Sequence, residues 1–343
     1  MGQFFESMAV SILDHLSIIS AAAAHPETII DNTFLESLDI GTSNEWIMER
    51  VGIVTRRTIL PLDYIKTTRN VNPLAAKEAA NTTLTQLGKD AALKALQYAN
   101  IQPQDVGLVI LGMSIPEMYI PANACLIANE LGIEAKAFDL NSACSSFMAH
   151  LHFINSMKQE ALPEYILLIQ AEIYTTAINY NDRNSAVLFG DAASAQVLSP
   201  RRLGKGRIQQ TSFDSDPSSW NKIYVAPGAH FVQQGSTVQR FAIQRTVSTA
   251  EALIKDYVNR DSLYFIGHQA NLRMLESSCA RLQIDPSKHF YNVDRYGNCG
   301  GAGAPSVLAE KWYSFKKGDT LVTATVGAGL SWGGSLIYFG DDE

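Results

Sequence analysis

The sequence predicts an α/β fold in which one layered unit occurs twice, with the functional residues gathered where the strand ends of the two copies meet. Three observations carry that expectation. Short apolar runs alternate with helical patterns; the alternation continues through both halves with no Pro-, Gly- or Ser-rich linker between them; and chemically distinctive residues recur at one offset. His268 lies 154 positions after Ser114, Asn298 lies 154 after Cys144, and the same shift sets Leu321 on Leu167.

In chain order, the β-branched runs Val106 to Met113, Ala135 to Leu140 and Tyr165 to Ile173 read as buried strands, bounded by Gly or Asp. Between them Leu84 to Tyr98 reads as a helix, and a second helix starts near Ser145 and runs through Phe147, Leu151 and Phe153. Strands follow at Leu263 to Gly267, His289 to Val293 and Thr320 to Val326, with helices at Thr246 to Val258, Asn271 to Leu282 and Pro305 to Phe315. Asp214 to Ser219 reads as a surface loop. The expected halves are residues 1–200 and 201–343, with one site between them, because ligands in such sheets collect where strand ends converge.

The 343 residues are 46% hydrophobic and 18% charged, an ordinary globular composition that excludes disorder. The apolar stretch Ile18 to Ala24 is too short to span a bilayer and no basic leader precedes it, so a cytoplasmic protein with no membrane span is expected. A net charge of −7 argues against a general nucleic-acid binder. Cys125, Cys144, Cys279 and Cys299 have neither a disulfide pattern nor metal-ligand spacing, and free thiols with no metal are expected.

Cys144 follows a predicted strand and opens an apolar helix, in Asp139-Leu-Asn-Ser-Ala-Cys144-Ser-Ser-Phe. A helix N-terminus favours negative charge, which predicts a lowered thiol pKa and a nucleophile suited to thioesters. Taken alone, such a cysteine is more often simply part of a packed core. His268 sits at another strand end, in Gly267-His268-Gln-Ala-Asn271. Tyr296-Gly-Asn298-Cys-Gly-Gly-Ala-Gly303 is a third such loop, whose asparagine can donate an amide hydrogen bond, and Thr325 to Gly334 offers backbone N–H groups suited to an oxyanion. A tight turn would explain either glycine-rich loop singly. Thiol, imidazole, amide and donor loop together form the set that acyl transfer needs. Two neutral donors, His and Asn, can hold a thioester carbonyl while it becomes an enolate; a carboxylate there would oppose the charge.

With these residues in view, the chain resembles the thiolase-fold condensing enzymes, most closely the β-ketoacyl-acyl-carrier-protein synthase III family. The likeness covers nearly the whole chain, from Thr42-Ser-Asn-Glu-Trp-Ile-Met-Glu-Arg-Val-Gly-Ile53 through the Cys144 segment and Phe189-Gly-Asp191 to His268-Gln-Ala-Asn-Leu-Arg273, Gly297-Asn298 and Ser331-Trp-Gly333. It implies a thiolase-like duplicated αβαβα fold. It also implies an acyltransferase that condenses an acyl-coenzyme A primer with a malonyl thioester, on acyl carrier protein or coenzyme A, without a bound cofactor. By the same resemblance Cys144 accepts the acyl group, His268 and Asn298 serve decarboxylation and condensation, and the N–H groups of Cys144 and Ala328 form the oxyanion hole. Trp46 and Arg183 sandwich the adenine of coenzyme A, Arg50 meets its phosphates, and Gly235 and Asn271 line the pantetheine channel. Ile120, Phe189 and Gln239 shape the acyl pocket, Arg273 and Arg281 meet the carrier protein, and the protein is a homodimer in which Tyr119-Ile-Pro-Ala caps the neighbour's tunnel.

The departures from the family's usual pattern concern substrate. Cys144-Ser-Ser replaces Cys-Ala-Gly, Asn298-Cys-Gly-Gly-Ala replaces Asn-Thr-Ser-Ala-Ala, Ile120 and Gln239 replace aromatics, and the stretch between Pro61 and Thr82 is longer than usual. They keep open a specialised relative that uses an unusual starter or moves the acyl group to another nucleophile. A thiolase would need a second cysteine where this chain has Ala328, and a silent partner subunit would have lost the nucleophile.

Overall fold

The computed structural model describes residues 16–257 and 259–341. Its centre is a nine-stranded mixed sheet. The strands are β1 Ser17–Ala24, β2 Val106–Gly112, β3 Lys136–Asp139, β4 Tyr165–Glu172, β5 Ala192–Ser199, β6 Gly206–Ser215, β7 Leu263–Gly267, β8 Thr320–Gly327 and β9 Ser331–Phe339. Their spatial order is β7-β8-β9-β6-β1-β5-β4-β2-β3. Outward from the central β1/β6 contact, the two sides repeat one pairing scheme. β1/β5 and β5/β4 are antiparallel and β4/β2 parallel on one side; β6/β9 and β9/β8 are antiparallel and β8/β7 parallel on the other. This is the duplicated architecture expected from the sequence.

Five layers follow from which face each strand presents to which helices. The helices used below are α1 Leu84–Ala99, α2 Asn123–Leu131, α3 Ser146–Asn155, α4 Gly235–Ile254, α5 Leu272–Arg281 and α6 Gly300–Lys311. α1 packs on β1, β5 and β4 on one outside, and α4 packs on β8 and β9 on the other. Between them α6 lies on β1 and β5, α3 lies on β6 and β9, and these two middle helices touch. Where both faces are covered, as in β4, β5 and β8, a strand is buried almost throughout, yet alternate residues still enter different cores. In β4, Leu167, Ile169 and Ala171 join the cluster under α1, while Ile166 and Leu168 join the middle one. Among the described residues no helix is long and apolar enough to cross a membrane, and no group of three His, Cys, Asp or Glu is placed to hold a metal ion.

Four expectations are corrected. His289 to Val293 is not a strand: only His289 pairs with Phe265, because a 3₁₀ turn at Pro286–Lys288 and a helical turn at Val293–Tyr296 leave no extended run. It occupies, beside β7, the position that β3 takes beside β2. The last helix starts at Gly300 rather than Pro305; every residue from Gly300 to Leu308 is buried in the middle layer, and packing there overrides the preference of proline for a first turn. The helix expected at Thr246 to Val258 begins at Gly235 and ends by Ile254, while Val258 lies outside the described residues. Asp214 and Ser215 finish β6, and only the turn Pro217–Lys222 beyond them is loop-like.

Candidate active site

Cys144 stands on a sharp elbow between β3 and α3. Ala143 there has φ +47°, a left-handed conformation that costs an L-residue about 1–2 kcal/mol. Hydrogen bonds hold it: Ala143 N–H donates to Asn141 Oδ1 (2.7 Å), Ser142 N–H to Ser146 Oγ (2.9 Å), and Ser146 Oγ–H to the Ala143 carbonyl (2.7 Å). Ser145 Oγ lies 2.7 Å from Ser331 Oγ and 2.9 Å from Ser142 Oγ, tying the elbow to β9. The Cys144-Ser-Ser departure therefore braces the elbow; both serines are buried in it, and neither lines the cavity.

Cys144 is half-buried as a residue, and its sulfur sits 3.6 Å from Tyr174 Oη. The expected lowering of its pKa is not found. Burial, then the nearby Glu172 carboxylate, push the thiol up to about 12, outweighing its hydrogen-bond contacts. The group is a neutral thiol at pH 7.

His268 and Asn298 come from the second copy. His268, at the end of β7, donates its N–H to the Ala324 carbonyl of β8 (2.9 Å). The ring is buried, its Nδ1 lacks a partner, and burial lowers its pKa to about 4, so it is a neutral imidazole. Asn298 is pinned through its backbone between the Leu188 carbonyl (2.8 Å) and the Gly190 N–H (3.1 Å). Its Oδ1 accepts from Gly300 N–H (3.0 Å), which fixes the amide and leaves the NH₂ group as the free donor.

Cys144, His268 and Asn298 line one cavity of about 290 Å³ together with Trp46, Arg50, Phe189, Gly235, Gln239, Asn271 and Ala328. Ten of the residues singled out in the sequence thus meet in one place. Asn271 also caps α5, its Oδ1 accepting from Met274 N–H (2.9 Å). Arg183 is at the rim, with its guanidinium 4.9 Å from the Trp46 ring centroid. A ring held between two others needs about 7 Å, twice the contact distance, so this pair has to open to take an adenine. Ile120 lies outside the cavity of its own chain and is 86% exposed, next to the exposed Tyr119. Arg273 holds the Met48 and Glu49 carbonyls and Glu276, which closes the end of helix Asn44–Arg50, while Arg281 is exposed at the last turn of α5.

Sequence reasoning passed over Tyr174 and Phe231, which line the same cavity, and Glu172 behind them, and it used Ser114 only as the counterpart of His268, with no role in the site. Tyr174 stacks on Phe189 (4.9 Å between centroids), and Phe189 packs against Phe231 (4.6 Å). The signal was present: Glu172 and Tyr174 stand at the end of β4, the same kind of position as the residues that were chosen. The long stretch between Pro61 and Thr82 sends no side chain into the cavity. Its buried Asn70 binds the carbonyls of Thr175, Thr176 and Ile178 and, through its own carbonyl, His230, so it holds the segments carrying Tyr174 and Phe231 from behind.

Gly300 explains another departure. It has φ +53°, and a Cβ on it would fall 2.3 Å from Tyr174 Cε2 and 2.9 Å from Glu172 Oε1. A tyrosine at 174 therefore requires a glycine at 300. Gly300→Ala is expected to cost about 2–4 kcal/mol of stability, from backbone strain plus overpacking, read as a lowered urea midpoint.

Comparisons with known proteins show the family and the fold. Residues 138–217 match the family described as 3-oxoacyl-[acyl-carrier-protein] synthase III, and residues 255–339 match the C-terminal domain of the same family. The chain is 33% identical over 340 residues to a β-ketoacyl-[acyl-carrier-protein] synthase III of Clostridioides difficile, covering 93% of this chain and 97% of the relative. It is 33% identical over 350 residues to the enzyme of that name from Syntrophomonas wolfei, covering 96% and 98%. The crystal structure of 3-oxoacyl-[acyl-carrier-protein] synthase III from Aquifex aeolicus superposes with a TM-score of 0.83 at 30% identity, covering 94% of this chain and all of that one.

Proposed function

Because the chain belongs to the β-ketoacyl-[acyl-carrier-protein] synthase III family, we propose that it forms a carbon–carbon bond between an acyl group delivered by coenzyme A and a malonyl thioester, carried by acyl carrier protein. The reaction runs on thioester substrates alone. The observation that carries the assignment of roles is the convergence of Cys144, a neutral His268 and an oriented Asn298 amide on one cavity.

In this reading Cys144 sulfur attacks the primer carbonyl, and coenzyme A leaves. A malonyl thioester follows through the same opening, past Trp46, Arg50 and Asn271. His268 and the Asn298 NH₂ group donate to its thioester carbonyl while carbon dioxide departs and the enolate forms. The enolate carbon attacks the Cys144 thioester, whose oxygen is held by the N–H groups of Cys144 and Ala328. Collapse releases the β-ketoacyl thioester and returns the cysteine. Residues 1–200 supply the nucleophile and 201–343 the histidine and asparagine. We place the reaction in the cytoplasm, in a homodimer whose contact includes Tyr119 and Ile120.

A second reading, an unusual starter or transfer to another nucleophile, is favoured by one feature: a tyrosine hydroxyl faces the nucleophile, in a ring cluster with Phe189 and Phe231. Intact-protein mass spectrometry with acyl-coenzyme A thioesters from acetyl to long chain separates these. A gain of one acyl group, followed by a β-ketoacyl product that appears only with a malonyl donor, is expected. Product without that donor selects the second reading, and no adduct with any thioester sinks both.

A further inference from the structure

The hydroxyl groups behind Cys144 form a chain with a single direction. Tyr174 Oη–H donates to Ser114 Oγ (2.6 Å), and Ser114 Oγ–H donates to Glu172 Oε1 (3.0 Å). Glu172 is held by the Ser114 N–H (2.9 Å, to Oε2) and the Gly301 N–H (3.0 Å, to Oε1), so its carboxylate has only acceptor work to do. Each hydroxyl has one proton, and both are committed toward Glu172. The group left to donate to the Tyr174 oxygen, 3.6 Å away, is the Cys144 thiol.

Resting on the nucleophilic role assigned to Cys144, we propose that Tyr174, Ser114 and Glu172 are a proton relay that accepts the Cys144 proton as the sulfur attacks an acyl thioester. The S–H bond breaks as the S–C bond forms. The thiol proton passes to Tyr174, the tyrosine's to Ser114 and the serine's to Glu172, which becomes a neutral acid; coenzyme A leaves as thiolate and is protonated by solvent. After condensation the released Cys144 thiolate recovers the proton along the same path in reverse. Tyr174 touches the reacting sulfur and is the catalytic member; Ser114 and Glu172 act through it.

Two further facts agree. A buried thiol this reluctant to ionise needs an acceptor, and His268, with its lowered pKa, is a poor one. Burial raises Glu172 to about 7, against opposing hydrogen bonds from Ser114 and Gly301, so it can take up and release a proton near neutrality. Asp191, Cys144, Tyr174 and Cys299 are the ionisable groups that face it. Asp191, raised to about 7 as well, is bound to Thr175 and the Ile59 N–H and has no hydrogen bond into the chain leading to Cys144.

The test is alkylation of Cys144 by iodoacetamide from pH 5 to 10, followed on the Cys144 peptide because Cys125 is exposed. In the wild-type protein the rate is expected to rise through pH 7 and level off, as Glu172 ionises. Tyr174→Phe and Glu172→Gln are expected to slow alkylation at pH 7.5 by about 10²-fold and to leave only a rise at high pH. Ser114→Ala, the smallest change, provides a third break should either of those fail to fold. Wild-type rates and an unchanged profile in folded Tyr174→Phe or Ser114→Ala would overturn the relay. Alkylation needs no primer, so a wild-type protein that shows this profile but never gains an acyl group refutes the proposed condensation and leaves the relay standing.

Discussion

Cys144→Ala is expected to abolish the acyl adduct and to lower condensation by about 10⁴-fold or more. The size follows from the chemistry. Without the sulfur there is no covalent intermediate, and His268 and Asn298 act on the other substrate, so neither substitutes for it. The variant should fold, because the elbow is held by Asn141, Ser142, Ser145, Ser146 and Ser331, none of which bonds to the sulfur. Intact mass after incubation with the best primer gives the result directly. Full condensation activity in the variant would remove Cys144 from the mechanism.

Asn298→Asp is expected to lower condensation by about 10²–10³-fold while leaving the acyl adduct intact. The substitution is isosteric, and the aspartate still accepts from Gly300 N–H. What changes is the group turned to the cavity: a donor NH₂ becomes a carboxylate oxygen, in a buried place, facing the oxygen on which enolate charge develops. The two half-reactions therefore separate, with normal mass gain and slow release of carbon dioxide from the malonyl donor. Condensation within tenfold of wild type would exclude a donor role for the amide. A related pH result follows from His268. Its pKa is lowered to about 4, so the neutral donor form persists as pH falls from 8 to 6, and decarboxylation by an already acylated enzyme should not decline over that range.

Three of the central strands missed in the sequence share a cause. β1, β5 and β9 are rich in Ala, Ser and Gly, which carry little strand preference, and they are central because small residues let helices approach. In β9, a Cβ at Gly333 would meet the Ser212 carbonyl at 2.6 Å, and one at Gly334 would meet Leu253 at 2.7 Å. Local preference points to a loop there, while packing makes a strand. By contrast, α1 was legible to within a residue, because Leu84, Leu87, Ala91, Ala95 and Ala99 repeat at helical spacing and Thr83 caps it.

The sequence by itself determined the alternation of strands and helices, the offset between the two copies and the placement of Cys144 and His268 just beyond strand ends, because periodicity and motif spacing are properties of neighbouring residues. Only the tertiary structure decided what those groups are like. The thiol is pushed up by burial beside Glu172, the imidazole is kept neutral by burial, and the amide is turned by Gly300. Tyr174 joins Ser114 across 60 positions, and Ser145 meets Ser331 across 186. Proton affinity and hydrogen-bond direction depend on what surrounds a group in space, and no spacing along the chain records which distant residue that will be.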